Sequence, residues 1–120
     1  MKALLAITLS AFLISAAHAQ SVGPNGGLLA GKAGHELELV ASPTELTVYI
    51  IDNGKVHSTK GVSMRAVIQQ GGKSATVSLS AADDKKLVGK LELPLATGAI
   101  VVLSGKDHHG DVLSARYTIR

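Results

Sequence analysis

From residue 20 onward the chain predicts an all-β domain, because its apolar residues alternate with polar ones at a period of two. Two further features agree. Gly, Pro, Asn and Asp interrupt the alternation about every 8–12 residues, as turns between short strands do. No segment in this part carries a helical apolar stripe longer than about one turn.

The elements follow in order. Gly23-Pro24-Asn25-Gly26-Gly27 opens the domain as a tight turn; the Lys-Ser/Thr that would complete a phosphate-binding loop is missing. A short strand is expected near residues 28–30, then one at 35–41, with Leu37 and Leu39 on one face and Glu36 and Glu38 on the other. Ser42-Pro43-Thr44 turns the chain, since proline cannot serve a central ladder. Residues 45–52 put Leu46, Val48 and Ile50 inward, and Asn53-Gly54 is a hairpin-turn dipeptide. Residues 62–69 put Val62, Met64, Ala66 and Ile68 on one face, which makes Met64 a core residue before a thioether ligand. Gly71-Gly72 leads into 73–80, with Ala75, Val77 and Leu79 inward, and Asp83 to Lys86 forms a polar turn. A strand at 87–93 stops at Pro94. Residues 100–104 are apolar on both faces, as suits a central strand, and a turn at 107–111 returns the chain into 112–119 with Leu113, Ala115, Tyr117 and Ile119 inward. Seven full or partial strands plus the short N-terminal one predict a single Ig-like two-sheet β-sandwich of about seven to eight strands.

The N-terminus has a different character. Met1-Lys2 supplies a positive charge, residues 3–16 form an apolar run broken only by Thr8, Ser10 and Ser15, and Ala17-His18-Ala19 has the small-x-small pattern that signal peptidase cuts. The expected division is a signal peptide at 1–19 and one β-sandwich domain at 20–120, with Gln20 first in the mature chain. The run is shorter than the roughly 20 apolar residues a spanning helix needs. The expected location is therefore periplasmic, with no stable membrane insertion after cleavage.

Composition narrows the chemistry. The chain has no cysteine, which removes disulfides, thiolate metal sites and thiol nucleophiles. Without Lys2, eleven Lys and Arg stand against nine Asp and Glu, and the charges are interspersed, so no basic patch for nucleic acid is expected. Tyr49 and Tyr117, the only aromatic residues after position 19, provide little stacking surface for bases or sugars. Serines fall mostly on the polar faces of strands and no Gly-x-Ser-x-Gly elbow occurs, so the expectation is a protein that is not an enzyme.

Histidines are the main chemical candidates. The stretch after residue 19 holds His35, His57, His108 and His109, and the densest cluster is Asp107-His108-His109-Gly110-Asp111. Imidazole and carboxylate together suit borderline divalent ions, and adjacent side chains in a turn can share one ion. The same residues also make an ordinary solvated hairpin turn. His35, by alternation, is in phase with Leu37 and Leu39; it is either a ligand or a strand-end residue. His57, just past the Asn53-Gly54 turn, reads as a surface residue.

Gly23-Pro24-Asn25-Gly26-Gly27, the His35-x-Leu37-Glu38-Leu39 strand, Val48-Tyr49-Ile50-Ile51-Asp52 and Asn53-Gly54-Lys55 together resemble two related groups. One is a set of small exported proteins; the other is the N-terminal extra domain of periplasmic adaptor subunits of cobalt–zinc–cadmium-type heavy-metal efflux pumps. Val77-x-Leu79, Leu87-x-Gly89 and Ala115-Arg116-Tyr117 extend the likeness over most of the domain. Such adaptor domains often carry a histidine near the glycine pair, where this chain has Asn25. The resemblance implies a periplasmic β-sandwich in a heavy-metal context, with His35 and Glu38 at motif positions and heavy-metal efflux components as partners. The functional expectation is a non-enzymatic accessory protein that binds Cu, Zn or Co weakly, through His108, His109, Asp107 and Asp111 or through His35 and Glu38. The alternative is a structural or protein-interaction module with no metal.

Overall fold

A computed structural model describes residues 20–120; the expected signal peptide at 1–19 lies outside the described residues. Alternation and turn chemistry produce ten strands and, among the described residues, no helix. They are β1 (Ser21–Val22), β2 (Leu28–Lys32), β3 (His35–Ala41), β4 (Glu45–Asp52), β5 (Lys55–Val56), β6 (Ser63–Gln70), β7 (Lys73–Ala81), β8 (Leu87–Lys90), β9 (Ile100–Lys106) and β10 (Val112–Thr118). Every recorded pairing is antiparallel, and the order is β1-β2-β3-β4-β8-β7-β6-β9-β10, with β5 on the end of β4.

The sheet curls until its far strand returns to its beginning. β10 lies alongside β2 and β3. Tyr117, fully buried on β10, donates its hydroxyl to the carbonyl of Leu37 on β3. Burial, helped by the negative charge of Glu38, pushes the Tyr117 phenol well above its ordinary range, so it remains a donor. The remaining seam between β2 and β10 is bridged by a side chain: the Gln20 carboxamide donates to the carbonyl of Thr118 (2.6 Å) and accepts from its amide (2.9 Å). One glutamine thus pairs with β10 as a strand residue would.

The core is the interior of this curl. Leu37, Leu39, Leu46, Val48, Val62, Met64, Ala66, Ile68, Val101, Leu103, Leu113 and Tyr117 are all buried there, as their phase in the sequence requires. β9 lies between β6 and β10, with Val101 and Leu103 buried on its inward face and Val102 exposed on the outer one. Several expectations differ. Ala75 is exposed and Val77 only half-buried, because β7 pairs with β8 only through Ser80 and Ala81 and the sheet gapes beyond that point. The strand expected at 87–93 ends at Lys90. His35, expected on the inward face, is exposed because it begins its strand beside the Gly34 turn.

Two polar residues complete the frame from inside. Glu38, expected on the solvent face, is fully buried because the Gly23–Gly27 turn folds over it. Its carboxylate accepts from the Asn25 amide (2.9 Å to Oε2), the Asn25 side chain (3.0 Å) and the Gly27 amide (2.8 Å). A Cβ on Gly23 would sit 2.4 Å from the Glu38 carboxyl carbon, so only glycine lets the turn close. Thr59, also fully buried, donates to the carbonyl of Asp83 (3.1 Å), and its amide donates to the carbonyl of Asp84 (2.8 Å). This ties the β5–β6 connection to the β7–β8 turn.

Candidate functional site

Three hairpin ends meet at one end of the molecule. Lys32 pairs with His35 across the Ala33-Gly34 turn, so His35 stands at the tip of the β2–β3 hairpin. Asn53 and Gly54 both have positive φ (51° and 76°), the geometry of the tight two-residue hairpin that their sequence announces. That hairpin pairs Asp52 with Lys55, and the amide of His57 donates back to the carbonyl of Ile50 (2.7 Å), which holds His57 beside the end of β4. The third end is the β9–β10 turn.

The β9–β10 turn is built on Asp107. Its Oδ1 accepts from the amides of His109 and Asp111, both at 2.9 Å, while the Gly110 amide donates to its carbonyl (3.0 Å). Desolvation is the largest single influence on Asp107 and works to raise its pKa. The amides of Asp111 and His109 and the neighbouring imidazoles together outweigh it and hold the carboxyl below the usual range. Within the turn the rings of His108 and His109 lie side by side, with centroids 3.9 Å apart and planes tilted by 43°. The Gly61 Cα faces the back of this turn: a Cβ there would come within 3.1 Å of the His108 Cβ.

Between these ends lies a cleft of about 240 Å³. His35, His57, His108 and His109 all line it, together with Asp52, Asp107 and Asp111, over an apolar floor of Ile50 and Leu113. Every histidine of the described residues therefore faces one cavity. No Lys or Arg lines it, although the chain as a whole is net basic. The cleft lining thus combines exposed imidazoles with three carboxylates, while Lys32 and Lys55 are the cross-strand partners of His35 and Asp52.

No family model, curated protein or solved structure matches the chain. The site is therefore characterised by its own geometry.

Of the residues singled out in the sequence, His108, His109, Asp107, Asp111 and His35 are brought together, across some seventy positions of chain, on one cleft. Glu38 does not line it; its carboxylate is spent on the Gly23–Gly27 turn. His57 and Asp52 are members that sequence reasoning passed over. The available signal was their position on either side of the Asn53-Gly54 hairpin, which by strand direction emerges at the same end as His35. Among the described residues, no three His, Asp or Glu donors stand close enough, as oriented, to hold one metal ion together. The four histidines are exposed on turns and strand ends, so ring rotation alone changes their convergence.

Proposed function

We propose that this chain is an exported, non-enzymatic accessory protein of heavy-metal handling, whose cleft binds a borderline divalent ion such as Cu2+, Zn2+ or Co2+. One observation carries the reading: all four histidines of the described residues, with three aspartates and no basic residue, line a single cavity. Imidazole nitrogen and carboxylate oxygen are the donors these ions prefer, and the absence of cysteine disfavours softer ions. His108 and His109 are the primary ligands, with His35 or His57 supplied across the cleft and Asp111 or the unused oxygen of Asp107 assisting. Binding requires the imidazoles to swing inward, so the affinity is modest. Heavy-metal efflux components are the partners implied by the resemblance of the Gly23–Gly27 and 35–55 motifs.

The same reading takes the curled sheet as an Ig-like two-sheet sandwich. β2-β3-β4-β8 and β7-β6-β9-β10 each form a continuous ladder, and the two are joined by only two residue pairs between β7 and β8. Export through a cleaved peptide at 1–19 and residence in the periplasm rest on the N-terminal sequence pattern.

An amide NMR titration of the purified protein with Zn2+, followed by Cu2+, tests the reading. Zn2+ is expected to shift resonances around His35, Asp52–Ser58 and 107–111, and Cu2+ to broaden the same set. Replacing both His108 and His109 by Ala should abolish these changes while leaving the remaining spectrum in place. No site-specific change at several equivalents of either ion would sink the metal reading and leave a metal-free interaction module in its place.

A further inference from the structure

The polar and apolar pattern of one strand fits a second copy of itself. β7 pairs with β6 from Lys73 to Leu79 on one side, but on the other side it meets β8 only at Ser80 and Ala81. Gly89 closes against Val77, Ser78 and Leu79, where an added Cβ would lie 2.6–2.8 Å from their atoms. Residues 73–77 therefore present an open backbone edge. They overlook a groove of about 650 Å³ whose opposite wall is the stretch from Lys90 to Leu93. Apolar groups stand uncovered there: Ala75 is exposed although in phase with buried Leu79, Val77 is half-covered, and Leu93 is 68% exposed. The seam at β10 is closed by Gln20 and β1 is only two residues long. An unprotected edge of this kind is a template for another strand.

We infer that the edge of β7 is a homodimer contact, in which residues 73–77 pair antiparallel with the same residues of a second copy about a two-fold axis at Ala75. The sequence matches itself in that register. Ala75 meets Ala75 and Lys73 meets Val77 on the groove side, while Ser74 meets Thr76 on the solvent side, so both faces keep their character. No like charges stand opposite each other, which is the usual obstacle to self-pairing. The segment's only charge, Lys73, is complemented in sign by Glu92 on the groove wall, and Lys90 already has Glu45 directly opposite it on β4. A foreign peptide would need its own matching pattern; the second copy carries it already. Dimerisation would join β6-β7 of each copy into one continuous sheet and leave the histidine cleft free in both.

Light scattering on the purified protein, coupled to size exclusion from about 1 μM to about 1 mM, should show the mass doubling as concentration rises. Ala75→Lys sets two ammonium groups opposite each other at the axis, and should hold the protein monomeric over the whole range with unchanged circular dichroism. Ala75→Cys gives a chain with a single thiol, and directly opposed Cβ atoms about 4.5–5.5 Å apart are within reach of a disulfide after slight adjustment. It should form a covalent dimer on mild oxidation, whereas Lys73→Cys, displaced from its own copy by four residues, should not. A wild-type protein that stays monomeric throughout overturns the proposal and leaves the edge to a foreign strand. So does a dimer indifferent to Ala75→Lys, or equal cross-linking at positions 73 and 75.

Discussion

Glu38 shows how a single residue gains its role from what folds over it. In the strand pattern it alternates outward beside Glu36, yet it is fully buried and accepts hydrogen bonds from Asn25 and Gly27. A carboxylate with both oxygens bonded to amides acts as the template of the Gly-Pro-Asn-Gly-Gly turn. Glu38→Gln puts an NH2 group where an acceptor is required, and should cost about 2 kcal/mol. Glu38→Ala, which strands buried amides without partners, should cost more, about 3 kcal/mol. Urea denaturation measures both. A neutral result for Glu38→Ala would mean that water replaces the carboxylate and the turn does not depend on it. The glycines of the Gly23–Gly27 segment and Glu38 thus build a turn, and Glu38 does not reach the cleft that His35 lines.

At the scale of the element, β7 separates periodicity from burial. Ala75, Val77 and Leu79 share one face, but burial rises along the strand from exposed through half-buried to 4% exposure at Leu79. The gradient follows the distance from the corner where β8 joins. Leu79→Ala should accordingly cost about 2–4 kcal/mol, Val77→Ala about 1 kcal/mol, and Ser78→Ala under about 0.5 kcal/mol. Chemical denaturation of the three variants checks the order. Equal losses at Val77 and Leu79 would show that the gap beside β7 is closed in solution. Hairpins are read more securely: the Asn53-Gly54 turn, the β9–β10 turn at 107–111 and the bounds of β3 and β4 agree with the sequence to the residue, because positive φ, turn hydrogen bonds and period-two alternation are local properties. β1 and β5, each two residues long, were missed; pairs that short leave no periodic signal.

At the scale of the whole molecule, the cleft exists only in the folded chain, since its histidines come from positions 35, 57, 108 and 109. Any ion bound there stabilises the native state by mass action. At a Zn2+ concentration about 100 times the dissociation constant, the gain should be about 2.7 kcal/mol, seen as a rise in Tm by differential scanning calorimetry. The double His108→Ala, His109→Ala variant should abolish the rise and His57→Ala diminish it, and an effect unchanged in both would move the ion elsewhere. The all-β class, the phase of nearly every core residue and the turn chemistry were determined by the sequence alone, because each depends on residues within a few positions of one another. The choice of histidine cluster was half-legible: Asp107 to Asp111 is dense enough to notice, whereas Asp52 and His57 are marked only by the Asn53-Gly54 hairpin between them. Only the tertiary structure decided that all four histidines share a cleft, that Glu38 is internal and that β7 has an open edge. Each of these depends on which hairpin ends emerge together and where two ladders part, and such contacts between distant segments are fixed by the curl of the sheet as a whole.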